Sequence, residues 1–248
     1  MAEISDFPAC LGQGGGGVLD RMVKKRMPLM VRIPLFFLTL FLPLFTTCVS
    51  AQVRTPGELF PPDKIFLLEE PRDWQNTEEI MARLHLGIGD IVADIGAGSG
   101  YFTIPLASRV GDKGLVFAEE IQIEMINYIS RKVEDLELKN VRVIFGKPDD
   151  PSLLDNFFDL VFLANTYHEL EKPFLMLDNI RKDLRFSGRF AIIDWDPAKQ
   201  SPFGPSINVK VPENTIINEV ERAGFELIEK HNFMPYHYFL VFKKRGRD

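Results

Sequence analysis

The sequence predicts an α/β fold: a doubly wound sheet of seven strands, mostly parallel and finished by an antiparallel hairpin strand. Three observations carry this. Short apolar runs at 91–95, 115–118, 141–145, 157–164 and 190–195 alternate with stretches of helical periodicity, the pattern of βα units on a parallel sheet. The first run ends in a glycine turn, Asp94-Ile95-Gly96-Ala97-Gly98-Ser99-Gly100, that opens a helix. Two last runs, 225–231 and 236–243, are joined by a connection too short for a crossover, so they form a hairpin.

The chain divides before any of this begins. Residues 1–51 form a leader, 52–72 an extended proline-bearing segment that wraps the surface, and 73–248 the folded domain. Within the leader a glycine run at 14–17 is followed by Arg21, Lys24, Lys25 and Arg26, then by an uncharged apolar stretch at 33–49 interrupted by Pro34 and Pro43. A basic cluster, an apolar run and a small-residue exit (Val49-Ser50-Ala51) make a secretory signal pattern, cleaved after Ala51 or kept as a membrane anchor through residues 33–49. Met22 and Met27 offer alternative starts. The reading is of an exported or membrane-anchored domain.

Charge and cysteine usage narrow the function. Of 29 basic and 35 acidic residues, five and three lie in the leader, which leaves 24 against 32 in the remainder. An acidic domain without a basic stripe is a poor partner for phosphate backbones, so nucleic acid is not an expected substrate. Both cysteines, Cys10 and Cys48, fall in the leader. The domain therefore has no disulfide, no thiolate metal site and no cysteine nucleophile, and no metal is expected.

Taken in order, Thr77 is placed to cap a helix over 78–86, with Trp74 as a packing residue ahead of it. Residues 87–90 turn into the first strand, 91–95, whose acid Asp94 is buried among apolar neighbours and needs a partner. Gly96, Gly98 and Gly100 permit a close approach and unusual dihedrals. Their spacing is not the G-x-G-x-x-G of a dinucleotide site, because Tyr101 stands where a third glycine would fall, which weighs against a nicotinamide oxidoreductase. The helix after the turn ends near Gly111. The second strand, 115–118, leads into Glu119 and Glu120, and an acid about 20 residues beyond such a turn is placed to accept ribose hydroxyls. Glu119 points to the other side of the strand. An amphipathic helix covers 121–138, a third strand 141–145, and an acidic loop, Gly146 to Pro151, follows it. After the fourth strand, 157–164, comes the polar cluster Asn165-Thr166-Tyr167-His168-Glu169, where an open parallel sheet binds ligands. Helices at 174–184 and 213–223 enclose a strand at 190–195 and a loop at 202–212, which covers a substrate pocket.

The motif order, VADIGAGSGYF, then FAEEIQIEM, then the acidic loop, then NTYHEL, resembles class I methyltransferases that use S-adenosylmethionine, most closely a bacterial subgroup of small-molecule type. The resemblance covers 73–244. It implies a Rossmann-like sheet and a small-molecule acceptor. It also implies a cofactor site in which Asp94 meets the methionine ammonium, often through water, above the loop of Gly96, Ala97, Gly98, Gly100 and Tyr101. Glu120, followed by Ile121, takes the ribose. Asp149 or Asp150 takes the adenine amino group, and Asn165 lines the same edge. The sequence departs from the family in two places: Glu119-Glu120 stands where a Val-Asp pair is commoner, and Arg185-Phe186-Ser187-Gly188 replaces Lys-Pro-Gly-Gly. Methyl transfer needs a base only where the acceptor must lose a proton. His168, flanked by Tyr167 and Glu169, is the catalytic candidate, either as that base or as a loop-orienting group. His231 and His237 are assigned to packing or surface. An exported cofactor-binding domain without catalysis is the second reading.

Overall fold

A computed structural model describes residues 55–70 and 75–246. The leader reading at 1–51 and Trp74 lie outside the described residues. Elements run α1 (Thr77–Arg83), β1 (Ile91–Ile95), α2 (Thr103–Val110), β2 (Leu115–Glu120), α3 (Ile123–Asp135), β3 (Val141–Phe145), β4 (Phe158–Ala164), α4 (Pro173–Asp183), β5 (Leu184–Trp195), α5 (Glu213–Arg222), β6 (Phe225–His231) and β7 (His237–Lys244). The seven strands make one sheet in the order β3-β2-β1-β4-β5-β7-β6. The pairs from β3 across to β5 are parallel, and β7 is antiparallel to both of its neighbours. The strand order reverses between β1 and β4, so a crevice opens at their carboxyl ends.

Strand alternation divides the apolar residues between two layers. On one face, Ile80, Leu84, Leu106, Val110 and Ile129 from α1, α2 and α3 pack on Val92, Val116, Leu160 and Phe162. On the other, Leu177, Ile180, Ile216 and Val220 from α4 and α5 pack on Ala93, Ile95, Val161 and Phe190. The connection from β3 to β4 carries no helix. Leu153 and Phe157 of that loop cover the second face instead, with Phe157 edge-on to Phe117 and Phe158.

Of the boundaries that differ from those the sequence predicts, three have a local cause. Asn76, not Thr77, caps α1: its side chain accepts from the Glu79 N–H, and its left-handed φ of 45° suits asparagine. The Thr77 hydroxyl instead lies 3.1 Å from the Tyr101 hydroxyl. β2 runs on through Glu119 and Glu120, because both acids are buried and paired on the sheet. β5 begins at Leu184 rather than at 190, so it takes in Ser187, Gly188 and Arg189, which the sequence reads as a turn. The register shift between Phe158 and Leu160 on its partner absorbs the irregularity.

The segment before α1 is not simply extended. It contains a 3-10 turn, Pro62–Leu68, started by proline and burying none of its residues.

Candidate functional site

The residues that the sequence assigns to the cofactor lie mostly at the ends of β1 and β2. Asp94 is buried on the α2 face, where its Oδ2 accepts from the Thr103 hydroxyl at 2.6 Å. Burial pushes its carboxyl up to about 7; the Thr103 bond opposes this and the charge of Glu120 adds to it. The glycines after it all have positive φ, 70° at Gly96, 56° at Gly98 and 78° at Gly100. Two of them also make room for the protein itself. A Cβ on Gly96 would lie 2.5 Å from the Thr166 side chain, and one on Gly100 would lie 2.8 Å from Ile129. The close approach that the sequence implies is thus partly chain against chain, and it brings the β4 loop onto the glycine loop.

Glu120 bends back over that loop. Its Oε2 accepts from the Gly98 N–H at 3.0 Å, and its Oε1 from the N–H groups of Ile121 and Gln122 at 2.7 and 3.0 Å. A carboxylate has about four acceptor positions. Three are filled from the backbone, so the group is fixed in orientation with capacity left for a hydroxyl. Glu119 lies on the opposite face, also buried, with its Oε2 accepting from the Gly96 N–H at 3.3 Å. Ala97 donates to the Glu119 backbone oxygen at 2.9 Å. Tyr101 packs edge-on against Phe102, its hydroxyl against Thr77, and so ties α1 to the loop.

The two candidates in the acidic loop separate. Asp149 is drawn to Lys172 at 2.7 Å, a bond that holds its carboxyl below the usual range. Asp150 closes a turn by accepting from the Ser152 N–H at 2.8 Å. Asn165 sits at the switch point with φ 59°, its N–H bonded to Ile193 O and its buried Oδ1 without a partner among the described residues.

At the ends of β4 and β5, a 3-10 turn (Tyr167–Glu169) sends neighbouring side chains in opposite directions. His168 is buried against Asp194. Its Nδ1 lies 2.8 Å from Asp194 Oδ1, and its N–H donates to Oδ2 at 2.9 Å. Asp194 also accepts from the Trp195 N–H at 2.7 Å. Burial would raise this acid, but the charge and bonds of His168, with the backbone donors, hold it below the usual range. Glu169 lies 3.9 Å from His168 Nε2. Burial pushes it up to about 7, against the charge of His168 and a bond from the Phe60 backbone.

Tyr167 does not join this group, a correction to its place beside His168. Its ring is buried in the core under α4 and α5, and its hydroxyl donates to Glu219 at 2.7 Å. In its stead the sequence reading passed over Asp194. The available signal was an acid closing an apolar strand, as Asp94 does, but no glycine turn follows to mark it. His237 is buried, its ring 4.1 Å from that of Trp195, and burial pushes it down to about 3.

Residues 55–70 cross the carboxyl edge over both halves. Gly57 donates to the His168 carbonyl at 2.8 Å, Gln122 Nε2 to the Phe60 carbonyl at 3.2 Å, and Glu69 pairs with Lys132 on α3 at 2.5 Å.

The residues fit a cationic ligand. Asp94 is buried beside a hydroxyl but meets no cation among the described residues, and an ammonium would supply the partner that burial demands. Asn165 Oδ1 offers a second unmet acceptor on the same crevice. Among the described residues no group of three or more His, Cys, Asp or Glu side chains is placed to hold a metal ion.

Residues 88–236 match the family model described as a methyltransferase domain. The chain is 32% identical over 145 residues to a probable cobalt-precorrin-6B C(15)-methyltransferase (decarboxylating) of Sulfurisphaera tokodaii, covering 56% of this chain and 71% of that one. It is 20% identical to a demethylmenaquinone methyltransferase of Oceanobacillus iheyensis, covering 53% of this chain and about half (55%) of that protein's length. The crystal structure of a SAM dependent methyltransferase from Aquifex aeolicus matches 74% of this chain and 98% of its own, with 31% identity and a TM-score of 0.70. On the family match and the glycine loop together, the chain belongs to the methyltransferase domain family, as a class I enzyme whose cofactor is S-adenosylmethionine.

Proposed function

We propose that this enzyme methylates an O, N, S or C nucleophile of a small acceptor by in-line displacement, with His168 as the base when the acceptor must lose a proton. The observation that carries this is the buried His168–Asp194 pair on the loop that Thr166 packs against Gly96. Bound S-adenosylmethionine supplies a sulfonium methyl with a neutral leaving group, so the step needs no acid. The protein's work is then to position and to exclude water. Asp94 balances an ammonium, and Glu120, pinned by three N–H groups, orients a ribose. The imidazolium whose charge acts on Asp194 and Glu169 must first lose a proton. With Nδ1 kept on Asp194, Nε2 of the neutral ring is then the accepting atom, a tautomer assigned from its bonding partner. The precorrin and demethylmenaquinone enzymes among its relatives support a small acceptor.

Labelled-methyl transfer from S-adenosylmethionine into fractions of a metabolite extract tests the reading. Label should enter a low-mass compound, and where that acceptor must lose a proton His168→Ala should slow the transfer by roughly 10²–10⁴. Label entering only protein or nucleic acid would overturn the acceptor class. Cofactor binding without transfer into any extract would favour the non-catalytic binding domain. In thermal shift, S-adenosylhomocysteine should stabilise the chain more than NAD does, and the reverse would favour an oxidoreductase.

We also propose that the domain is exported after cleavage of the leader, or faces outward on a membrane anchor through residues 33–49. The support is the basic cluster ahead of that apolar run, since Lys and Arg stay on the cytoplasmic side. Among the described residues no helix is long and apolar enough to cross a membrane, and 33–49 lies outside them. A compartment-specific reporter fused after Lys244 should be active only outside the cytoplasm; activity confined to the cytoplasm would reverse the orientation.

A further inference from the structure

Glu119 is a buried acid to which the proposed chemistry gives no task. It is 1% exposed and paired across the sheet with Ile95 on β1 and Ile144 on β3. Its side chain lies on the α4/α5 face of the sheet, over the strands where the β3–β4 connection supplies no helix. Its contacts reach both loops at the sheet's carboxyl edge. Its Oε2 accepts from the Gly96 N–H at 3.3 Å, and its backbone oxygen from the Ala97 N–H at 2.9 Å. On its other side the carboxyl fills the space that a side chain at position 146 would occupy: a Cβ built on Gly146 would fall onto Oε1 and lie 2.5 Å from Cδ. Gly146 is tied in place by its own N–H, which donates to the Glu120 carbonyl at 3.0 Å.

Charge completes the picture. Burial pushes the Glu119 carboxyl well above the usual range; the Gly96 bond opposes this, and the charges of Glu120, Asp94 and Asp150 add to it. Burial and the neighbouring acids thus favour its protonated form over the charged one. Its geometry is that of a spacer. One end is hydrogen-bonded to the glycine loop, and the other is seated in the gap that a glycine leaves at the head of the 146–150 loop.

We propose that Glu119 is a positioning residue of the cofactor site: its carboxyl, seated against Gly146 and bonded to Gly96, fixes the 96–100 and 146–150 loops at one spacing. This rests on the reading that both loops hold S-adenosylmethionine. A valine at 119, the commoner residue in the family this chain resembles, would leave the part-buried Gly96 N–H without this acceptor. Residue 146 would then no longer need to be glycine.

Four variants test this: Glu119→Gln, Glu119→Val, Gly146→Ala and the double Glu119→Val/Gly146→Ala. Each is compared with the full chain by calorimetry with S-adenosylhomocysteine and by amide hydrogen exchange without ligand. Glu119→Gln keeps both an acceptor and the volume, and should match wild type. Glu119→Val should bind up to about tenfold more weakly, the effect of one unmet part-buried donor. It should also speed exchange in 96–100 and 146–150 but not in the central strands. Gly146→Ala should be at least as damaging alone and should add little once residue 119 is valine. Glu119→Val binding and exchanging like wild type would overturn the proposal, as would losses at 119 and 146 that simply multiply. An equal loss in Glu119→Gln would overturn it too. Should no chain bind S-adenosylhomocysteine, the cofactor reading fails, while the exchange data still decide for or against the spacer.

Discussion

Asp94 and Asp194 invite comparison, because the fold makes them almost alike and their surroundings make them opposites. Each is an acid near the carboxyl end of a central strand, and each is buried. Asp194 finds its partners inside the protein: His168 through two bonds and Trp195 through a third, with its carboxyl held low. Asp94 has a single hydroxyl and is pushed up to about 7. A buried carboxylate that is fully paired is a finished piece of structure, and the pair it forms can position a base. One left short of a cation stores a desolvation cost that a ligand can relieve. On the proposed function the two halves of the site differ in that respect: the acceptor half is pre-assembled, and the cofactor half is completed by what it binds.

Substitutions should separate the two halves. His168→Ala removes the proposed base, and turnover on a proton-losing acceptor should fall by roughly 10²–10⁴. Affinity for S-adenosylhomocysteine should stay close to that of wild type. A matching loss of cofactor affinity would merge the halves that the comparison keeps apart. Glu120→Ala should act in the opposite sense, weakening cofactor binding by about 1.5–3 kcal/mol, the range for bonds to a charged group. Steady-state kinetics at saturating cofactor should then recover most of the turnover. If saturation fails to restore the rate, Glu120 reaches beyond the ribose role.

The pH dependence sharpens the comparison further. Asp94, Glu169 and Asp183 are each raised to about 7 from usual values of 3.8 to 4.5. Between those limits the folded chain holds protons that the unfolded chain has released, so stability should fall as pH rises from about 4 to 7. His237, pushed down to about 3 from 6.5, works the other way and adds stability as pH rises toward 6.5. Three acids outweigh one histidine, so the melting temperature of the unliganded chain should be lower at pH 8 than at pH 5.5. Saturating S-adenosylmethionine should narrow that gap, since a cation favours ionised Asp94. A melting temperature that rises with pH in the free chain would show that these acids are not held neutral. The smallest effect is reserved for Tyr167→Phe. Losing the bond to Glu219 should cost about 1 kcal/mol of stability by denaturant unfolding and leave turnover unchanged. A large loss of activity would return Tyr167 to the site.

Much of the fold was legible because it is written in period and punctuation. Apolar strands, a glycine turn and a terminal hairpin fix the sheet; distance from the turn brings an acid to the end of β2, and the family resemblance picks Glu120 over Glu119. What the sequence hid depends on direction and partnership. Tyr167 and His168 are adjacent, and no local signal says which one a 3-10 turn sends into the core. Asp194 ends its strand without a glycine signal, so its tie to His168, 26 residues away, appears only when β4 and β5 lie side by side. Asn76 takes the cap from Thr77 because its left-handed backbone sets the helix start one residue earlier. The task of Glu119 was unreadable for a related reason. Alternation places it opposite Glu120, but only the sheet brings Gly146 against it.

The central claim is that Asp94 is the acid the cofactor completes, and calorimetry on one substitution tests it most directly. Asp94→Ala, checked by circular dichroism to be folded, should show no measurable binding of S-adenosylhomocysteine at concentrations that saturate wild type. Wild-type titrations in buffers of different ionisation enthalpy should reveal protons released on binding near pH 7, as the carboxyl becomes charged. Unchanged affinity in Asp94→Ala, with no proton release in wild type, would contradict the account of this site.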